Sequence, residues 1–273
     1  MNRGIDYELE YNNRARVPEN PSIMAGWAKD AAAYRARHAP QVISYGTGAR
    51  NIIDFFPGSD EGPIIVFIHG GYWQALDGTF FSHLAGGLNA HGVSVAIPSY
   101  DLCPEVTVDN IVGQMRMAMR VLARLGRSLV ISGHSAGGHL AACMLATDWP
   151  VIDAALPKNV VVAAYAISGL FDLEPLVGTS INKALRLDAA SARTVSPLFW
   201  SAPERGSLDA VVGANESAEY FRQSKAIVDR WGAAGLATRF GTVPNANHFT
   251  AIAPLADPQS PMVARLKELA GRR

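Results

Sequence analysis

Leu129-Val130-Ile131-Ser132-Gly133-His134-Ser135-Ala136-Gly137-Gly138-His139-Leu140 decides how the rest of the chain is read. An apolar run stops at a tight Gly-His-Ser-Ala-Gly corner, and small, helix-compatible residues follow through Ala146. The pattern predicts a strand, a sharp turn and a helix, with Ser135 pushed out at the turn where a substrate can meet it. Gly133 and Gly137 carry no β-carbon, so the two arms can cross closely. A bare G-x-S-x-G occurs often by chance. The flanking strand and helix patterns give it weight, and they make Ser135 the expected nucleophile.

Buried-strand patterns recur on both sides of this stretch. Upstream, Pro63 to Ile68 is a nearly continuous apolar run ending in His69-Gly70-Gly71-Tyr72-Trp73, and Val93 to Ile97 is another. Val42 to Tyr45 and Asn51 to Phe56 are strand candidates closer to the start. Downstream, Val160 to Ile167, Leu208 to Gly213 and Ala237 to Val243 complete the set. Between them lie helical patterns: Trp27 to His38, Phe80 to Ala90, Thr107 to Leu125 (Ile111, Met115, Met119 and Leu122 on one face), Leu173 to Ala190, Ala218 to Ala234 and Ser260 to Leu269. Val195 to Pro203 reads as a loop. Strands alternating with helices imply an α/β architecture: a mostly parallel central sheet with helices on both faces and an antiparallel edge formed by the early strands. No repeat or linker divides the chain, so one domain over residues 1–273 is expected. Residues 1–40 form an N-terminal segment over its body, and about 173–203 form a small cap insertion over the site.

Composition narrows the function classes. A chain of 273 residues with 49% hydrophobic content holds a large core. Its formal net charge of zero gives no basic patch for nucleic acid. The start, Met1 to Glu8, has no secretory apolar core, and no apolar run nears the roughly 18 residues a membrane span needs. Cys103 and Cys143 are the only cysteines, which suits a reducing compartment. A soluble, cytoplasmic protein acting on a small molecule is therefore expected, without nucleic-acid or membrane partners; a homodimer stays open. No metal site is expected, because the histidines and cysteines lack ligand spacing, and no cofactor, because the glycine-rich turns match neither phosphate nor dinucleotide loops.

A serine hydroxyl needs a base, and the base needs an orienting acid. Of seven histidines, His248 alone sits in a loop after the last strand, in Asn245-Ala246-Asn247-His248-Phe249. Glu216 follows the strand ending at Gly213 and is the expected acid. Asp172 is the alternative, with bracing its loop or capping a helix as its other reading. Asp209 stands at the wrong end of its strand, and Glu219 is expected on a helix surface. The oxyanion that forms on attack needs preorganised donors. The N–H groups of Gly70, Gly71 and Tyr72 at the end of one strand, and of Ala136 after the nucleophile, are the candidates. His69 is expected to shape its loop and to transfer no proton. Tyr72, Trp73 and His134 are the candidate pocket residues.

At these residues the sequence resembles the α/β-hydrolase superfamily, and more narrowly its kynurenine formamidase (arylformamidase) group. The carriers are His69 to Trp73, Gly133 to Leu140, Ser168-Gly169-Leu170-Phe171-Asp172-Leu173, Glu219-Tyr220-Phe221-Arg222-Gln223-Ser224 and Asn247-His248-Phe249. The resemblance implies an α/β-hydrolase fold, with Ser135 as nucleophile, His248 as base and Glu216 at the acid position, where Asp is the commoner residue. The implied reaction is hydrolysis of an aryl N-formyl amide, N-formylkynurenine, to kynurenine and formate. A small-acyl carboxylesterase or another amide or carbamate hydrolase is the near alternative, and a binding protein on a hydrolase scaffold the distant one.

Overall fold

A computed structural model describes residues 4–59 and 61–271. The apolar runs become strands: β1 (Gln41–Ser44), β2 (Ile52–Phe56), β3 (Ile64–Ile68), β4 (Val95–Pro98), β5 (Leu129–His134), β6 (Val161–Ile167), β7 (Ser207–Gly213) and β8 (Ala237–Val243). They form one eight-stranded sheet in the order β1-β2-β4-β3-β5-β6-β7-β8. β2 runs antiparallel to both β1 and β4, and every other pair is parallel. β5 is central, in register with β3 on one side and β6 on the other.

The reason for unbroken apolar runs is visible in the two cores. Ile64, Val66, Ile68, Leu129 and Ile131 face one side, together with Ile111, Met115, Met119, Leu140 and Trp231 from helices Val108–Ala123, Ala136–Leu145 and Ala218–Ala233. The alternating residues Ile65, Phe67 and Val130 face the other side, against Trp27, Tyr34, Phe81, Leu88, Val263 and Leu266. A strand sandwiched between two helical layers cannot alternate apolar with polar. Among the described residues no helix is long and apolar enough to cross a membrane.

Three expected helices come out differently. The pattern read as starting at Trp27 begins at Asn20, with Pro21 in its first turn, where a missing N–H is harmless. Phe80 to Ala90 divides into a 3₁₀ segment, Gly78–Leu84, and a short α-helix, Ala85–Asn89. Leu173 to Ala190 is three short pieces, Glu174–Gly178, Asn182–Leu185 and Ala189–Thr194. Pro175 stands in the first turn of the first piece and Gly178 is its last residue, and Arg186 closes the second in the left-handed region at φ 55°. Two short helices near the start, Tyr7–Tyr11 and Asn13–Arg16, were not expected; the Asp6 and Asn12 side chains cap them.

Candidate active site

β5 ends at His134, and Ser135 takes φ 55° and ψ −118° before the helix Ala136–Leu145 begins. A side chain rarely adopts such a backbone, and one held there marks a site the surrounding structure over-determines. The surroundings do so here: Ser135 N–H donates to the Ile167 carbonyl at 2.8 Å, and its own carbonyl accepts from His139 N–H at 3.1 Å. A β-carbon on Gly137 would stand 1.9 Å from the Ile68 carbonyl oxygen, so only glycine lets the helix pass this close to β3. The result places the Ser135 side chain on a cavity of about 430 Å³, lined also by Gly70, Gly71, Tyr72, His134 and His248.

The loop after β8 brings His248 to the same cavity. Its Nδ1–H donates to Glu216 Oε2 at 2.7 Å, and both side chains are nearly sealed from solvent. This bond fixes the tautomer: with the proton on Nδ1, Nε2 carries the free lone pair. The other Glu216 oxygen accepts from Ser168 Oγ at 2.5 Å and Gly213 N–H at 2.7 Å, so the carboxylate cannot swing away. The His248 ring is held between Tyr220 and His134, each with its centroid 4.7 Å away. Asp172 is engaged elsewhere, 3.5 Å from Arg222 and accepting Glu174 N–H at 3.2 Å. Asp209, low on β7, pairs with Arg265 at 2.8 Å.

The loop after β3 is built around strained backbone. Gly71 has φ 107°, and a β-carbon there would lie 2.3 Å from the Ala75 carbonyl oxygen. Tyr72 and Trp73 follow with φ of 50° and 56°. His69 holds the loop through Nδ1–H to the Gly70 carbonyl at 2.8 Å and stacks on Tyr100, with centroids 4.1 Å apart. Burial lowers its pKa to about 4, so it stays neutral. The Gly70 and Gly71 N–H groups donate to no backbone carbonyl among the described residues. Ala136 opens its helix, where first-turn N–H groups have no intrahelical acceptor.

Two expectations fail. Trp73 does not wall the pocket: it is fully buried, edge-on to His139 with centroids 5.0 Å apart, because its left-handed backbone turns it into the core. Glu219 is not a surface residue. It is 3% exposed and accepts from Tyr11 Oη at 2.7 Å and from Arg222. Residues the sequence reading did not single out also shape the site. Tyr11, Asn13, Arg14 and Trp27 bring the N-terminal segment to the cavity, and Ser180 and Ile181 bring the 173–203 segment. The two segments meet where Ser180 N–H and Oγ–H both donate to the Glu8 carboxylate at 2.7 Å. Only hydrophobic rhythm marked Trp27; the polar contacts had no local signal.

Residues 65–271 match the model of the alpha/beta hydrolase family. The chain belongs to that family. Within it, the chain is kynurenine formamidase-like and a hydrolase. It is 30% identical over 252 residues to the kynurenine formamidase of Danio rerio, covering 87% of this chain and 85% of that protein. It is equally 30% identical over 253 residues to the kynurenine formamidase of Salmo salar. A crystal structure of a candidate thioesterase from Silicibacter sp. TM1040 superposes with a TM-score of 0.84 at 34% identity, covering 97% of this chain and all of that one. A Pyrobaculum calidifontis esterase, 17% identical with a TM-score of 0.69, shares the fold.

Proposed function

We propose that this hydrolase removes the formyl group from an aryl formamide of the N-formylkynurenine type through an acyl-serine intermediate. The observation that carries the substrate reading is the 30% identity to kynurenine formamidases across 87% of the chain. The cavity supports it, because Trp27, Phe81 and Phe249 give an aromatic ring an apolar wall beside Ser135.

Ser135 Oγ attacks the formyl carbon while His248 Nε2 takes its proton. Glu216 keeps the imidazole in that tautomer and stabilises the cation that forms. The carbonyl oxygen becomes an oxyanion, held by N–H groups of Gly70, Gly71 or Tyr72 and of Ala136, where one donor contributes roughly 3–4 kcal/mol. His248 then gives its proton to the leaving nitrogen, and the arylamine departs. Water, deprotonated by His248, attacks the formyl-serine and releases formate. Two buried, unpaired cysteines support a cytoplasmic site of action.

Comparison of kcat/KM for N-formylkynurenine and 4-nitrophenyl acetate tests this, with Ser135→Ala as control. A preference for the formamide, abolished by the substitution, is expected. Efficient ester cleavage with negligible deformylation would make the protein a small-acyl carboxylesterase instead.

A further inference from the structure

Asn13 is 6% exposed, yet it lines the cavity that holds Ser135 and His248. Its side chain lies against two phenols. Asn13 Nδ2 is 2.7 Å from Tyr220 Oη and 3.2 Å from Tyr72 Oη. The two phenol oxygens are 2.7 Å from each other, and Tyr72 Oη is 2.7 Å from the Tyr11 carbonyl oxygen. Burial raises the pKa of both phenols, so both keep their protons.

Proton counting fixes which way the amide points. Four close contacts need four protons. Tyr72 and Tyr220 supply one each, and the Asn13 NH₂ group supplies two. Tyr72 donates to the Tyr11 carbonyl, Tyr220 donates to Tyr72 Oη, and Asn13 donates to both phenol oxygens. Turning the amide over would leave two protons for four contacts and set lone pairs against one another. Both donors of Asn13 are thus spent on protein. Its Oδ1 accepts from no described residue and is not sealed in the interior. Oδ1 is thus the polar atom of Asn13 left for a substrate, on a residue that lines the cavity of a site whose base packs against the same Tyr220 ring, centroids 4.7 Å apart.

We propose that Asn13 Oδ1 accepts the N–H of the scissile amide, which makes residue 13 the determinant of amide over ester hydrolysis. This rests on the reading that the chain cleaves an aryl amide. The bond orients the leaving nitrogen and raises its electron density, so its lone pair can take the proton from His248. An ester puts an oxygen lone pair against Oδ1 at the same place. A site that hydrogen-bonds a substrate N–H disfavours the analogue lacking it, because a buried acceptor is left unpaired.

Formanilide and phenyl formate test the assignment, since they share ring and acyl group and differ at N–H against O. The ratio of their kcat/KM values is compared in the wild type, Asn13→Ala and Asn13→Ser, with thermal melting to confirm that each variant is folded. Loss of the Asn13 donors loosens Tyr220 and slows both substrates, so the ratio is the informative quantity. A fall in the amide-to-ester ratio of fivefold or more is expected, the lower end of the roughly 5- to 100-fold that leaving one buried group unpaired costs. A smaller change in the folded variants overturns the role of Asn13 and leaves the amide reading intact. A wild type that cleaves neither formanilide nor N-formylkynurenine overturns the amide reading, and this assignment with it.

Discussion

His134 Nε2–H donates to the backbone carbonyl of His248 at 2.8 Å, across 114 residues of sequence. The residue before the proposed nucleophile therefore holds the loop that carries the proposed base. Burial keeps the His134 imidazole neutral far below the usual range, and the neighbouring His248 reinforces this. It therefore donates through Nε2 without carrying charge into the site.

Replacing His134 by Phe keeps a ring against His248 and removes that donor. The variant should fold and bind substrate with little change in KM, while kcat falls about tenfold, the worth of one hydrogen bond that positions a reacting group. Steady-state kinetics checks this. An unchanged kcat would mean the loop is held by packing alone.

Gly70 is packed against the elbow. A β-carbon there would stand 2.8 Å from the His134 carbonyl oxygen and 3.0 Å from Ser135 Cβ. Both neighbours are rigid, so Gly70→Ala must displace the loop proposed to offer the oxyanion donors. A loss of about 10²- to 10³-fold in kcat is expected, comparable to removing one such donor. Circular dichroism should remain native. Full activity in the variant would remove this loop from the mechanism.

Glu216→Gln replaces the carboxylate that accepts His248 Nδ1–H with a group able to offer an amide donor. The wrong tautomer and an unstabilised imidazolium should lower kcat by about 10⁴. Ser168→Ala, which frees only one contact to the other carboxylate oxygen, should lower it a few-fold. If both variants lose activity equally, Glu216 is acting through the fold of its loop and not through the imidazole.

Three histidines are buried and neutral. Burial lowers His69 and His139 to about 4 and holds His134 well below its ordinary value. Their folded pKa values lie below the unfolded value near 6.5, so the unfolded chain binds more protons between those limits. Stability is then complete above pH 6.5 and falls as the pH drops towards 4. Each histidine shifts the equilibrium towards unfolding by about tenfold per pH unit in that window. Denaturant midpoints at pH 7.5, 6.5, 5.5 and 4.5 read this directly; a midpoint flat down to pH 5 would contradict it.

The sheet was legible because its central strands are packed on both faces. Ile64 to Ile68 and Leu129 to Ile131 have no solvent side, so no polar residue interrupts them. The elbow was legible because its geometry demands small residues on both sides of one serine. His248 stood out by its position after the last strand. The N-terminal contribution was not legible. Helices of four and five residues carry almost no periodicity, and Glu219, Tyr220 and Gln223, which Tyr11 and Asn13 contact, lie 207 to 212 residues away. Glu219 looked like a surface helix residue because charge predicts exposure, until a distant phenol and Arg222 satisfy it inside. Trp73 looked like a pocket wall because its neighbour is one; the left-handed backbone at both residues separates their directions.

The proposed mechanism stands on activation of Ser135 by the His248–Glu216 pair. Labelling the native protein with a fluorophosphonate and locating the adduct by peptide mass spectrometry tests it most directly. One stoichiometric adduct on the peptide bearing Ser135 is expected, absent in Ser135→Ala and slowed by orders of magnitude in His248→Ala. A native protein that stays unlabelled, or a label that forms as fast without residue 248, would contradict it.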